Sequence, residues 1–217
     1  MNNQIGINEE NWDYKEYFNN LEGNRVAIIC EYDGKKTNPL ALMGADITKF
    51  ELSEEKKRHA LKLAKYANIS IEYIVQYIFG INLNKYKEYF DILYLEVRVL
   101  HYFNDINKFM EILYPLLKNG GRIALEDFRP IEQADSEKYL IKESYIDKEL
   151  YKGDVENKNY CDKNGQERIT FDYLKIYTLS EIINSILQVG FKLKQFDEHP
   201  EWTNDNNSGQ FTILAIK

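Results

Sequence analysis

The order of residues in the stretch 25–53, RVAIICEYDGKKTNPLALMGADITKFELS, constrains the fold more than any other part of the chain. Residues 25–30 form a β-branched apolar run that ends at a turn, as a buried parallel strand does. Gly34 follows. Residues 39–43, PLALM, then read as a short helix stopped by Gly44. A second strand is expected over 47–50, with Glu51 at its carboxyl end. Strand, turn, helix, strand and acid make half of a nucleotide-binding α/β unit. The turn lets backbone approach a ligand, and a carboxylate seventeen positions after Gly34 can accept from both hydroxyls of a ribose.

The dinucleotide fingerprint G-x-G-x-x-G is absent, since only Gly34 stands in the turn. Without paired glycines a pyrophosphate has no close seat on the backbone. An adenosine without phosphates suits this turn better. A plain strand–turn–helix with a solvated Glu51 fits the same residues.

The chain has 217 residues, enough for one α/β domain with a full core. Hydrophobic residues make up 44 %, which points to a folded chain. The net charge of −7 argues against sequence-independent binding to nucleic acid or to an anionic membrane. No apolar run has the length of a membrane span, and no signal peptide is read at the start. Two cysteines, Cys30 and Cys161, make neither a disulfide framework nor a metal cluster, so a reducing cytoplasmic setting is expected.

Residues 1–24, with Trp12, Tyr14, Tyr17 and Phe18 among acids and Asn, are expected to form an amphipathic helix. It either packs on the domain edge or covers the cleft. Ser53 caps a helix over 54–67, with Glu54 and Glu55 in its first turn. Strands follow at 71–75 and 90–95. Asp105 caps a helix that carries Ile106, Phe109, Met110, Leu113, Leu116 and Leu117 on one face. Asn119-Gly120-Gly121 is expected to end it, before a fifth strand at 122–125. Residues 127–177 break the rhythm and read as an insertion over the carboxyl end of the sheet. Thr178-x-x-Glu181 is a capping box, and its helix ends at Gly190. Residues 191–196 and 211–216 are the last strands, joined by a link short enough for an antiparallel pair.

Repeating β-α-β units argue a parallel sheet with helices on both faces. Neither a G-x-S-x-G elbow nor a P-loop is present, and His59, His101 and His199 lack metal-ligand spacing with the cysteines.

Five βα units followed by a terminal strand pair resemble the class I S-adenosylmethionine-dependent methyltransferases. Three passages carry the wording: GADITKFELSEEKKRHALKLA, YFDILYLEVRVLHYFNDINKFMEILYPLLKNGGRIALEDFRP, and GFKLKQFDEHPEW with FTILAIK. The resemblance covers about 24–130 and 178–217. It implies a single α/β domain over 1–217. The sheet is expected to be Rossmann-like, seven-stranded and mostly parallel, with helices on both faces and an antiparallel last strand.

The resemblance also implies S-adenosylmethionine as cofactor and a small-molecule acceptor. Asp33 and Gly34 match the first cofactor loop, Glu51 the ribose acid, and Glu96 the acid after the fourth strand. Gln76-Tyr77 stand where the family places an acid near the adenine amino group, so Tyr77 is the expected cofactor contact there. Val97 and Arg98 replace small residues. An inward, unpaired Arg98 would oppose a sulfonium at several kcal/mol, and an outward one would cost about nothing. Glu31 or Glu96 is available to pair with it.

His101 is the candidate base, needed only for a nucleophile protonated at neutral pH; packing in a helix cap is its other reading. Tyr102, Asp127, Arg129 and Tyr177 are the expected substrate contacts. His199 and Trp202, between the last strands, read first as core or edge residues. Beside the enzyme stand two rivals: a methyltransferase fold that lost its cofactor and acts by binding, and a fold kept for a different ligand. The change clustered at residues 30–33, 76–77 and 97–98 motivates both.

Overall fold

The computed structural model describes residues 17–18, 20–31, 37–129, 151–152, 173–199 and 209–217, with backbone alone at 151–152 and 173–174. The strands are β1 Arg25–Ile29, β2 Asp46–Glu51, β3 Ile71–Val75, β4 Phe90–Leu95, β5 Leu117–Phe128, β6 Tyr151–Lys152, β7 Tyr173–Leu174, β8 Lys192–His199 and β9 Gln210–Ile216. The helices are α1 Thr37–Leu42, α2 Glu54–Tyr66, α3 Leu83–Tyr86, α4 Ile106–Leu113 and α5 Leu179–Gln188. Seven strands form one sheet in the order β3-β2-β1-β4-β5-β9-β8. β1 to β5 run parallel; β9 lies antiparallel between β5 and β8. β6 and β7 pair separately. The expected sheet is the one observed.

Side chains alternate across a strand, so each parallel strand feeds two cores. Val26, Ile28, Ile47, Tyr73, Ile92, Tyr94 and Ala124 pack with Leu40 of α1 and Ala64 of α2 on one face. Ala27, Ile29, Phe50, Leu93, Leu95, Ile123 and Leu125 pack with α3, α4 and α5 on the other. Strands buried on both sides need continuous apolar runs, which explains RVAII and FDILYL.

Local signals hold at the helix starts. Ser53, Asp105 and Thr178 each accept from the backbone N–H three residues on, and Thr178 with Glu181 completes the capping box. Gly190, at φ +107°, ends α5 in the left-handed region, and a Cβ there would stand 3.1 Å from the Tyr114 hydroxyl.

Two expectations need correction. The fourth helix ends at Leu113, not at Asn119-Gly120-Gly121. Pro115 has no N–H to continue it, so residues 114–116 tighten into a 3-10 turn and β5 begins at Leu117. The glycines lie inside β5 as an irregularity opposite β4, where pairing jumps from Phe90–Leu117 to Ile92–Arg122. The expected N-terminal helix also differs where it is described. Residues 17–18 and 20–24 form turns, with Tyr17, Phe18 and Leu21 buried; residues 1–16 and 19 lie outside the described residues. Most of the expected 127–177 insertion also lies outside them, while Asp127 and Phe128 belong to β5.

Candidate functional site

The carboxyl ends of β1 to β5 line one edge of the sheet, where open α/β sheets bind ligands. Glu51 closes β2 and is 3 % exposed. Its Oε1 accepts the Leu52 N–H at 2.8 Å, and Lys56 Nζ stands 3.5 Å from Oε2. A carboxylate has about four acceptor positions, so this one retains capacity for hydroxyl donors. Cys30 follows β1 at φ +53°, with its N–H on the Phe50 carbonyl at 2.9 Å. Burial, and then the charge of Glu51, push its thiol well above the usual range.

Tyr77 follows β3. Its ring stacks on Phe79 at 5.2 Å and on Phe103 at 6.4 Å. Burial raises its hydroxyl above the ordinary tyrosine value, helped by Cys30. Phe79 is 36 % exposed, so the aromatic group has an open side. Glu96, just past β4, is buried. Asp33 and Gly34, and Tyr32 with them, lie outside the described residues.

A second group gathers at β4 and β5. His101 is buried in the 3-10 turn Val99–Tyr102. Its Nδ1 lies 2.8 Å from the Lys175 carbonyl oxygen, and its Nε2 lies 3.3 Å from Asp127 Oδ1. The Lys175 N–H returns to the His101 carbonyl at 3.2 Å. Burial works against the charged ring, but the charge and hydrogen bond of Asp127, with the Lys175 carbonyl, outweigh it. The ring therefore titrates above the ordinary histidine value, with Arg98 opposing.

Asp127 is 1 % exposed. Its Oδ1 also accepts the Arg98 N–H at 3.0 Å and the Phe128 N–H at 2.8 Å. Its Oδ2 is buried and has no hydrogen-bond partner among the described residues. Arg98 takes the left-handed conformation at φ +75°, and its guanidinium lies 5.2 Å from the Phe128 ring centre. The side chain is exposed, the outward case in which a sulfonium loses nothing to it.

The other expected contacts fall nearby. Tyr102 is half-buried, and Arg129 donates its N–H to the Gly209 carbonyl at 2.9 Å. Tyr177 is buried and gives its hydroxyl to the Phe103 carbonyl at 2.5 Å, a partner inside the protein. Burial lifts that hydroxyl far above the ordinary tyrosine value. Phe103 thus touches both groups, stacking on Tyr77 and receiving Tyr177. His199 bonds Thr212 Oγ1 through Nε2 at 2.8 Å, in keeping with an edge role; Trp202 lies outside the described residues.

Sequence reasoning missed the partner of Glu31. This carboxylate is fully buried and meets Lys49 Nζ at 2.6 Å. It also accepts the Thr37 N–H at 3.0 Å and the Thr37 hydroxyl, which ties the end of β1 to the start of α1. The available signal was Lys49 itself, a cation amid the apolar residues of a strand buried on both faces. Among the described residues, no group of three His, Cys, Asp or Glu is arranged to hold a metal ion, and no helix is long and apolar enough to cross a membrane.

Comparison with known proteins points to the same fold. Residues 31–125 match the family model described as a methyltransferase domain. No curated protein matches the sequence significantly. A solved S-adenosylmethionine-dependent methyltransferase from Mesorhizobium loti superposes with a TM-score of 0.73 at 17 % identity, over 94 % of this chain and 95 % of that one. One from Methanosarcina mazei gives 0.67 at 18 % identity, over 90 % and 93 %. The Burkholderia thailandensis 1,6-didemethyltoxoflavin-N1-methyltransferase, solved with 1,6-didemethyltoxoflavin and S-adenosylhomocysteine, gives 0.63 at 14 %, over 90 % and 72 %. Residues 31–125 are therefore similar to the methyltransferase domain family, and the chain has the fold seen in solved S-adenosylmethionine-dependent methyltransferases.

Proposed function

We propose that this protein transfers a methyl group from S-adenosylmethionine to a small-molecule acceptor in the cytoplasm. The observation that carries the reading is Glu51: a buried carboxylate at the end of β2, with acceptor capacity left, in a chain matched to the methyltransferase domain family. The residues present fit the cofactor. Glu51 offers acceptors for the ribose hydroxyls. Tyr77 offers an aromatic face for the adenine, and Glu96 is a second acid at the cleft. Asp33 and Gly34 complete the set by their match to the first loop. When bound, the cofactor supplies a methyl group already activated for displacement.

The protein's own contribution is alignment and exclusion of water. Holding two reactants in register lowers a barrier by on the order of 7–11 kcal/mol. Asp127 is the residue we assign to orient the acceptor. Its Oδ2 is a buried acceptor without a donor, and such an atom costs about 1–3 kcal/mol until something donates to it. An acceptor N–H or O–H fits that need. Tyr102 and Arg129 flank the same end, and Tyr177 supports its wall through Phe103. A small acceptor is favoured by the acidic surface and by the Burkholderia thailandensis relative, solved with a heterocyclic substrate.

The rival reading, a fold that no longer takes a cofactor, needs Tyr32 or Arg98 to fill the hollow. Arg98 is exposed. Titration calorimetry with S-adenosylhomocysteine tests the proposal. Binding is expected, and Glu51→Ala should weaken it by about 2 kcal/mol, roughly thirtyfold. No heat at millimolar ligand would overturn the reading.

A further inference from the structure

The two nitrogens of His101 face oxygen atoms. The Lys175 carbonyl only accepts, so Nδ1, 2.8 Å away, carries a hydrogen. Nε2 faces Asp127 Oδ1 at 3.3 Å. That oxygen already takes two backbone N–H groups, from Arg98 and Phe128. A neutral ring with its hydrogen on Nδ1 would aim a lone pair at that carboxylate. A doubly protonated ring satisfies both partners and keeps no lone pair to act as a base.

The same residue joins three pieces of chain. His101 belongs to the turn after β4 and Asp127 to the end of β5, while Lys175 directly follows β7. His101 and Lys175 are linked twice, by the ring on the Lys175 carbonyl and by the Lys175 N–H on the His101 carbonyl. Two residues later Tyr177 bonds the Phe103 carbonyl, on the far side of the same turn. The segment 173–177 is therefore clipped to the turn after β4 on both sides, and one fastening is ionisable.

We propose that His101 is a positioning residue rather than a base: as an imidazolium between Asp127 and the Lys175 carbonyl, it clips residues 173–177 to the ends of β4 and β5, and the clip loosens when the ring loses its proton. The charged or titratable groups facing the ring are Asp127 from β5 and Arg98 from its own turn; the segment 175–177 adds the Lys175 carbonyl and, beyond it, Tyr177. Asp127 is the anion that the geometry sets against the ring among the described residues, and it offsets both burial and Arg98 in favour of the charged ring. Asp127 Oδ2, the acceptor-binding atom of the function proposed above, is closed off from solvent. A ligand reaches it only when a neighbouring piece moves, and the clipped segment is held directly to Asp127 through one ring.

Nitrogen-15 spectra of the full chain with labelled histidine test this without cofactor, so their outcome is independent of whether methyl transfer occurs. The three histidines are His59, His101 and His199, and the His101→Gln spectrum assigns the ring in question. Both His101 ring nitrogens should be protonated at neutral pH, and the ring should titrate above the ordinary histidine value. Asp127→Asn should move that titration below the ordinary value. The Lys175 amide, after correction for intrinsic exchange, should lose protection about tenfold as the ring deprotonates. In the active protein, kcat/KM should fall across that same pH range and His101→Gln should abolish this alkaline limb. A His101 ring with one bare nitrogen at pH 6, or a rate that rises as His101 loses its proton, would overturn the proposal. The wild-type titration alone decides the first point if either variant fails to fold.

Discussion

Two buried carboxylates, at the ends of β1 and β5, are handled in opposite ways. Glu31 has both oxygens engaged: Oε1 takes the Thr37 N–H, and Oε2 takes the Thr37 hydroxyl and Lys49. Asp127 receives two N–H groups and faces His101 with one oxygen, and its other oxygen meets no donor among the described residues. A satisfied buried charge holds structure in place, whereas a half-satisfied one is an acceptor in wait. The first belongs to the framework, joining the end of β1 to the start of α1. The second belongs to the chemistry. Burial does not distinguish them, since both are at most 1 % exposed.

Variants put that contrast to the test. The largest effect is expected for Glu31→Gln, which strands Lys49 as a buried cation. Stability should fall by about 3–5 kcal/mol in urea unfolding. Joint replacement by Glu31→Leu and Lys49→Met should recover most of that loss, because it removes both charges. If the single and double variants were equally unstable, Glu31 would matter through Thr37 and not through the ion pair.

Asp127→Asn should cost less, about 1–3 kcal/mol, because an amide can still serve the two N–H groups while only the ring loses its counter-charge. Its effect on kcat/KM should exceed its effect on S-adenosylhomocysteine affinity, the reverse of Glu51→Ala. Equal losses in both measurements would remove the distinction between a cofactor acid and an acceptor acid.

A smaller effect is expected in the pH dependence of stability. The folded His101 pKa is raised above the unfolded value of about 6.5. Its stabilisation is therefore complete below the unfolded value and is lost as pH rises through the folded one. Unfolding free energies of the wild type and of His101→Gln should converge as the pH rises above that range. A gap that widens with pH would contradict the ion pair with Asp127. The smallest effect is reserved for Arg98→Ala: its side chain faces water, so S-adenosylhomocysteine affinity should stay within about twofold. A large gain on removing the guanidinium would mean that it opposes the sulfonium after all.

Legibility differed along the chain for physical reasons. β3 and β4 were read with their observed bounds: β4 is buried on both faces and so is apolar almost throughout, while the edge strand β3 is a short apolar run broken by the exposed Glu72. Caps at Ser53, Asp105 and Thr178 were read because the side chain that starts the helix sits next to it in sequence. Leu116 and Leu117 were assigned to the fourth helix because their spacing continues its stripe, but Pro115 removes the N–H that such a helix requires. Glu51 was legible as a candidate from its distance after the turn. The arrangement at His101 was not, because Asp127 and Lys175 lie far along the chain and only the sheet and the clipped segment bring them together.

Periodicity and groups adjacent in the chain were enough to set the order of the main strands and the parallel sheet, and to carry the resemblance to methyltransferases. Tertiary structure decided which charged residues hold the framework and which stay available. Glu31 went to Lys49, Arg98 to water, and Asp127 to His101 with one oxygen unmatched. That outcome depends on which partners reach a buried charge, and reach is a property of folded distance.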